Sequence, residues 1–237
     1  GSRGLVVGGA ALVGAVSKVR DKAARIAAHM MEAAPEDIML AGGSYQVRGT
    51  PGRALGLAEI ADRAYSDDLP DDIDPGLEAT SFFKPPELVY PFGTHVAVVE
   101  VDRDTGYVHL RDYFSVDDCG PRISPTLVEG QVHGGLAQGI SQALYEAVVY
   151  DEEGQLQSGS LMDYTLPRAT HFPMFTTDQT VTTTPHNPLG AKGIGEAATI
   201  GSTPTIANAV VDALEPLGIR HLDIPMRPET VWRAMRG

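Results

Sequence analysis

Cysteine is almost missing from this chain: Cys119 stands alone among 237 residues. That excludes a disulfide within the chain and any iron–sulfur or all-cysteine metal site built from it alone. A solitary cysteine of this kind reads as a small buried hydrophobe, so Cys119 is assigned a structural place. The seven histidines show no H-x-x-x-H pair or comparable ligand spacing, so no metal held directly by the protein is expected. A metal working here would have to arrive inside a cofactor. No apolar run approaches the roughly 18–20 residues of a membrane span, and no charged-then-apolar leader opens the sequence. Basic residues are scarce as well. Lys and Arg number 18 against 31 Asp and Glu, for a formal net charge of -13. Such a surface repels phosphate, which argues against a nucleic-acid partner. A cytoplasmic protein is expected, and 43% hydrophobic residues are enough for a sizeable core.

Periodicity divides the chain. Leu12, Ala15, Val16, Val19, Ala23, Ile26 and Met30 recur at helical spacing, and Pro35 closes that helix. Asp37 to Val47, broken by Gly42-Gly43, reads as a short hairpin, and Leu57 to Tyr65 as a second helix. Residues 66–87 hold seven acidic residues and several prolines, the composition of a wandering loop between two lobes. Thr94 to Val101 and Tyr107 to Val116 form the next hairpin, around Asp104-Thr-Gly106. Leu127 to Tyr145 has helical spacing despite glycines at 130, 134, 135 and 139. Each glycine costs a helix roughly 1 kcal/mol relative to Ala. Either close packing against a strand or a ligand touching the backbone has to justify them. Ser160–Pro167 and Asp178–Thr184 read as extended, Thr205–Leu214 as a helix, and the residues around Val231-Trp-Arg as a short tail. The expected class is α+β, mixed helices and antiparallel hairpins. Two lobes are expected: a helix–hairpin–helix lobe over 1–88 and an α+β lobe over 89–237.

The most informative stretch is Asn187-Pro-Leu-Gly-Ala-Lys-Gly-Ile-Gly-Glu-Ala-Ala-Thr-Ile-Gly201. Its glycines let backbone approach a ligand closely. Successive N–H groups beside a helix start favour an anion, and Glu196 ends the turn as an acid or base. A tight loop-to-helix connection explains the same glycines without any ligand. Glu196 at a helix start is likewise explained by the dipole, worth ~0.3–1 kcal/mol. Gly193-Ile-Gly-Glu-Ala-Ala198 also satisfies a loose dinucleotide pattern, which requires a buried strand just before it. Thr184-Pro-His-Asn-Pro188 breaks a strand, and Asp212 falls inside a helix pattern, so the dinucleotide reading fails.

Three stretches, in order, carry a resemblance. They are Asp118-Cys-Gly-Pro-Arg-Ile-Ser-Pro followed by Glu129-Gly-Gln-Val-His-Gly-Gly-Leu-Ala-Gln-Gly139; Ser160-Leu-Met-Asp-Tyr-Thr-Leu-Pro-Arg168; and Gly190-Ala-Lys-Gly-Ile-Gly-Glu196. Together they resemble the C-terminal part of the molybdenum-binding large subunit of the xanthine dehydrogenase/aldehyde oxidase/carbon monoxide dehydrogenase family, with the carbon monoxide dehydrogenase branch nearest. The resemblance covers nearly the whole chain. It implies a molybdenum–molybdopterin cofactor in its cytosine dinucleotide form. It also implies that Glu196 is the base, that Gln131 contacts the cofactor, and that Lys192, Gly193, Ile194 and Gly195 form the loop lying on it. Gly1-Ser-Arg-Gly4 resembles the tail of another cofactor segment, giving Ser2, Arg3 and Gly4 as contacts, although an expression-tag scar also reads Gly-Ser. Lys192 also fits a plain solvated charge and Gln131 ordinary helix surface. His133 and Asp163 fit either a place beside the site or a place in the core.

The resemblance further implies oxidation of a small carbon substrate with water-derived oxygen, with hydroxylation of an aldehyde or N-heterocycle as the alternative. A non-catalytic assembly fragment that keeps the fold is the rival from another class. The front half of such a subunit is not in this sequence, and no iron–sulfur or flavin motif is present. The implied partners are therefore that front half, an iron–sulfur subunit and an FAD subunit, as a dimer of heterotrimers.

Overall fold

The computed structural model describes residues 2–237, apart from the side chain of Pro51. These residues form two compact units, one spanning Val7–Pro85 and the other joining the N-terminal residues through Val6 to Pro86–Gly237.

A π-helical turn at Leu5–Gly9, which spans the boundary in sequence, leads into helix α1, Ala10–Met30, of the Val7–Pro85 unit. Strands β1 (Ile38–Ala41), β2 (Ser44–Val47) and β3 (Thr50–Gly56) follow, then helix α2 (Leu57–Ala64). The three strands make an antiparallel meander in the order β1-β2-β3. Ala41 pairs with Ser44 across Gly42 and Gly43, whose φ values of 58° and 80° suit a two-residue hairpin turn. Strand β3 extends the expected hairpin to a third strand. Gly49, Pro51 and Gly52 punctuate its start and mask it in the sequence. Glu59 reaches back to accept the Gly56 N–H at 2.8 Å and fixes the start of α2. Ala23, Ile26 and Ala27 of α1 close a core with Tyr45, Ile60 and Ala64.

Residues 66–85 do not wander. Ile73 is buried in that core, Lys18 Nζ donates to the Thr80 carbonyl at 2.8 Å, and Arg25 pairs with Asp72. The acidic stretch lies along α1 because that helix presents the cations it needs.

In the other unit, strands β4 (Phe92–Val101) and β5 (Val108–Asp118) pair antiparallel with a bulge at Val98/Val99. Strand β6 (Thr176–Gln179) adds to β5 in parallel, so the sheet is mixed. Helices α3 (Pro125–Leu144) and α4 (Ala197–Leu214) pack on its inner face. Leu136, Ile140, Ile206 and Val210 meet Tyr113 and Val108 there. The class is α+β, as expected.

Four local expectations change. Helix α4 begins eight residues before Thr205 and runs through Pro204, which sits on its exposed stripe with Ile200 and Asn208. The proline removes one hydrogen bond but meets no packing partner there. Residues 160–164 form a turn at the start of the expected extended segment: the Asp163 and Tyr164 N–H groups donate to the Ser160 carbonyl, at 3.1 and 2.8 Å. Strand β6 stops at Gln179; beyond it the Thr182 N–H goes to the Asp118 carboxylate and not to a neighbouring strand. The tail is helix α5, Pro228–Arg236, anchored by fully buried Val231.

The glycines of α3 divide by face. A Cβ on Gly135 or Gly139 would strike α4, at Ala198 Cβ (2.8 Å) and at the Thr199 carbonyl (2.9 Å) respectively. Close packing justifies both, against a helix and not the strand expected. Nothing lies within 4 Å of a Cβ on Gly130 or Gly134.

Candidate active site

The loop between Asn187 and α4 is shaped by its own residues first. The Asn187 side chain takes both polar groups of Ala191, accepting its N–H at 3.2 Å and donating to its carbonyl at 2.8 Å. Gly190 has φ 64° and receives the Thr184 N–H on its carbonyl. Beyond it, alternate residues turn opposite ways. Lys192 is buried, and Ile194 packs against the apolar core. Gly193 and Gly195 lack side chains, and that is where Ser2 and Gln131 arrive.

A Cβ on Gly193 would stand 2.6 Å from the Ser2 carbonyl oxygen and 2.8 Å from Ser2 Oγ. A Cβ on Gly195 would stand 3.1 Å from Ser2 Oγ and 3.4 Å from Gln131 Oε1. Real side chains at both positions would close the cradle. The Gly195 N–H donates to Ser2 Oγ at 3.0 Å across 193 positions of sequence. Ser2 holds φ 46°, a left-handed backbone that serine rarely adopts, of the kind concentrated at binding sites. The structure thus brings together Ser2, Gln131, Gly193 and Gly195, with Glu196 exposed at the N-cap of α4. Arg3 and Gly4 are exposed beside Ser2 in sequence, and Gly1 of that expected segment lies outside the described residues. A hydroxyl, a carboxamide and backbone donors at the start of an 18-residue helix suit a polar, anionic ligand.

The Lys192 side chain lies elsewhere. Its ammonium pairs with Asp118 Oδ1 at 3.0 Å, donates to Thr182 Oγ1 at 2.7 Å and lies 4.6 Å from the Phe92 ring centre. Two hydrogen bonds and the ring contact hold the ammonium in the interior, in place of the solvated charge that the sequence also allowed. Asp118 is fully buried at the end of β5. Burial alone would raise its pKa. The Gly120 and Thr182 N–H groups, the Lys192 ammonium and the Thr180 hydroxyl outweigh that and hold the carboxyl well below the usual range.

A second buried polar group, unforeseen in the sequence, lies on the inner face of the sheet. His95 Nδ1 meets the Tyr113 hydroxyl at 2.9 Å and His95 Nε2 meets Asp117 Oδ1 at 3.2 Å. A Cβ on Gly201 would lie 2.6 Å from the His95 ring, so this cluster seats α4 on the sheet. Desolvation pushes the Tyr113 phenol well above its ordinary pKa, keeping it protonated as a donor. The period-2 row Tyr113, Ser115, Asp117 was the only signal for it. His133 is half-buried, edge-on to Phe175, and Asp163 caps its own turn by accepting the Ser160 hydroxyl at 2.7 Å. Neither joins the Ser2–Gln131 cluster. Among the described residues, no group of three or more His, Cys, Asp or Glu side chains could hold a metal. Nor is any helix long and apolar enough to cross a membrane.

Comparison with known proteins places the chain in a family. A family model described as a molybdopterin cofactor-binding domain matches residues 1–173. The carbon monoxide dehydrogenase large chain of Hydrogenophaga pseudoflava is 42% identical over 236 residues, covering all of this chain and 29% of that one. The nicotine 6-hydroxylase large subunit of Paenarthrobacter nicotinovorans is 37% identical over 239 residues, again covering all of this chain and 29% of the relative. A crystal structure of a Cu,Mo-CO dehydrogenase superposes with a TM-score of 0.94 at 39% identity, over 99% of this chain and 29% of that one. The chain belongs to the molybdopterin cofactor-binding domain family, and the resemblance drawn from its three motifs is borne out. It spans less than a third of the length of these relatives.

Proposed function

We propose that this chain is the base-bearing portion of a molybdenum hydroxylase large subunit, oxidising a small carbon substrate as carbon monoxide dehydrogenase does. The observation that carries this reading is the cradle of Ser2, Gln131, Gly193 and Gly195 directly beside Glu196. Those four residues fit a pterin dinucleotide: hydroxyl, carboxamide and bare backbone are the groups that hold a phosphate and a flat polar ring. The cofactor, in its cytosine dinucleotide form, supplies two-electron chemistry when bound. Ser2 and Gln131 orient it, with Arg3 and Gly4 adjoining, and the Lys192–Gly195 segment presents its backbone. Glu196, as a carboxylate, accepts the proton released as water-derived oxygen enters the product.

Electrons then leave through other chains, an iron–sulfur subunit and an FAD subunit, joined to the front half of the large subunit in a cytoplasmic dimer of heterotrimers. Relatives named large chain and large subunit support such partners. The likeness to nicotine 6-hydroxylase favours a second reading, hydroxylation of an N-heterocycle, in which the same base serves a different substrate. Glu196→Gln in the assembled complex is the test. At matched molybdenum content the variant is expected to lose ~10²–10⁴-fold in turnover, on whichever substrate the wild type oxidises. Wild-type turnover would remove Glu196 from the mechanism.

A further inference from the structure

Lys192 lies four residues before Glu196, and its charge is spent wholly on residues distant in sequence. Asp118 is 74 positions away and receives the ammonium at 3.0 Å. Asp118 also accepts the Gly120 N–H at 2.9 Å and, through its other oxygen, the Thr180 hydroxyl at 3.0 Å. Thr182 accepts from Lys192 at 2.7 Å. The backbone repeats the contact, since the Lys192 N–H donates to the Cys119 carbonyl at 2.8 Å. Gly120 and Gly190 approach so closely that a Cβ on Gly120 would overlap the Gly190 carbonyl. The end of β5, the 180–182 segment and the glycine loop therefore meet at one charged knot from which water is excluded. An ion pair in such surroundings is directional, because its charges have no competing solvent partners.

The loop needs such a knot. Gly190, Gly193 and Gly195 leave its backbone loose by composition, and Asn187 holds only its first half. Between Ala191 and the start of α4, Lys192 supplies the only buried charged side chain. We propose that the Asp118–Lys192 pair, braced by Thr180 and Thr182, is a positioning latch that fixes Gly193–Glu196 in register with Ser2 and Gln131. Lys192 is accordingly a positioning residue whose side chain makes no contact with cofactor or substrate. This inference rests on the reading of Glu196 as base.

The test uses the complete complex with Lys192→Met, Lys192→Arg, Thr180→Val and Thr182→Val. Two readouts are taken: amide hydrogen exchange of peptides covering 190–196, and kcat and KM at matched molybdenum content. Lys192→Met is expected to raise exchange in 190–196 by about tenfold or more while 136–144 and 206–214 keep their protection. It should lower kcat by about 10–100-fold, the order expected for a misplaced reacting group, with KM changed less than about twofold. Lys192→Arg keeps the charge and should recover part of both. If Lys192→Met prevents assembly, the two threonine variants carry the test, because each removes one hydroxyl and leaves the ion pair. Each is then expected to show the same two changes in smaller degree. Wild-type exchange and kcat in Lys192→Met, or in both threonine variants where Lys192→Met does not assemble, would overturn the latch. A uniform rise in exchange across 136–144 and 206–214 would overturn it too, by showing a general structural role. Failure of the underlying reading looks different: Glu196→Gln would keep full turnover while Lys192→Met still loosened the loop.

Discussion

Replacing Gly139 by Ala sets two opposing effects against each other. In an isolated helix the change is favourable, since Ala exceeds Gly by roughly 1 kcal/mol. In this fold the new methyl group overlaps Ser202 Oγ and lies 2.9 Å from both the Thr199 carbonyl oxygen and Thr203 Oγ1. Ser202 can swing its hydroxyl away, because its bonds to the Gly135 and Thr199 carbonyls are long, at 3.4 Å each. The Thr199 carbonyl belongs to the α4 backbone and moves only if the helix moves. Separating α3 from α4 loosens Leu136, Ile140, Ile206 and Val210, all fully buried. Overpacking of this kind costs ~1–3 kcal/mol, and a backbone obstacle places it at the upper end. The net destabilisation is about 2 kcal/mol once the ~1 kcal/mol propensity gain is subtracted. In a chain of this size that lowers Tm by roughly 4–8 °C. Gly134→Ala is the matched control, since nothing lies within 4 Å of its added methyl group. It should gain up to about 1 kcal/mol. Circular dichroism melting of wild type and both variants measures the two signs side by side. Gly139→Ala melting at or above wild type, or Gly134→Ala falling as far as Gly139→Ala, would refute the packing argument.

Asp118→Asn tests the buried pair through pH. Because the folded-state pKa of Asp118 is depressed, its contribution is fully present above the unfolded value of ~3.9 and is lost as pH falls below it. Near pH 7 the variant should be less stable by ~3–5 kcal/mol, the usual cost of stranding one partner of a buried pair. The gap should shrink below about pH 4. Urea titrations across that range decide it, and a pH-independent gap would contradict the assignment. Tyr113→Phe removes the donor on His95 and should cost ~1–3 kcal/mol through an unsatisfied buried nitrogen, measured as a lower urea midpoint. Gly193→Ala drives a methyl group into Ser2. The assembled protein is expected to lose molybdenum and cytosine nucleotide, assayed by metal analysis and nucleotide release, while Gly130→Ala retains both.

Much of the architecture was legible because it is local. The 3.6-residue rhythm from Leu12 to Met30 needs only its own spacing to become α1, and Gly42-Gly43 needs only positive φ to turn β1 into β2. The misread elements are those in which a distant contact overrules a local rule. Pro204 marks a helix boundary by propensity, yet α4 runs through it because the helix packs on α3 from Ala198 onward and the proline faces outward. Thr180–Thr184 has a strand's composition, but the Asp118 carboxylate, distant in sequence, takes the Thr182 N–H along with the Thr180 hydroxyl, and the ladder ends at Gln179. Residues 66–85 have a linker's composition, and they are held by cations on α1 some fifty positions earlier.

The candidate site divides in the same way. The sequence by itself determined that a glycine loop with one carboxylate enters a helix, since glycine content and the strand-breaking Thr184–Pro188 run are properties of adjacent residues. Together with the Gln131 helix and the ordered motifs it also determined the family. Only the tertiary structure decided which residues meet that loop. Ser2 reaches Gly195 across 193 positions, and Lys192 turns inward to a carboxylate 74 positions away. No local rule specifies such pairings, because side-chain direction in a glycine-rich loop is set by the partners that desolvate it. A lysine beside a ligand loop is a plausible anion contact until a buried aspartate claims its charge.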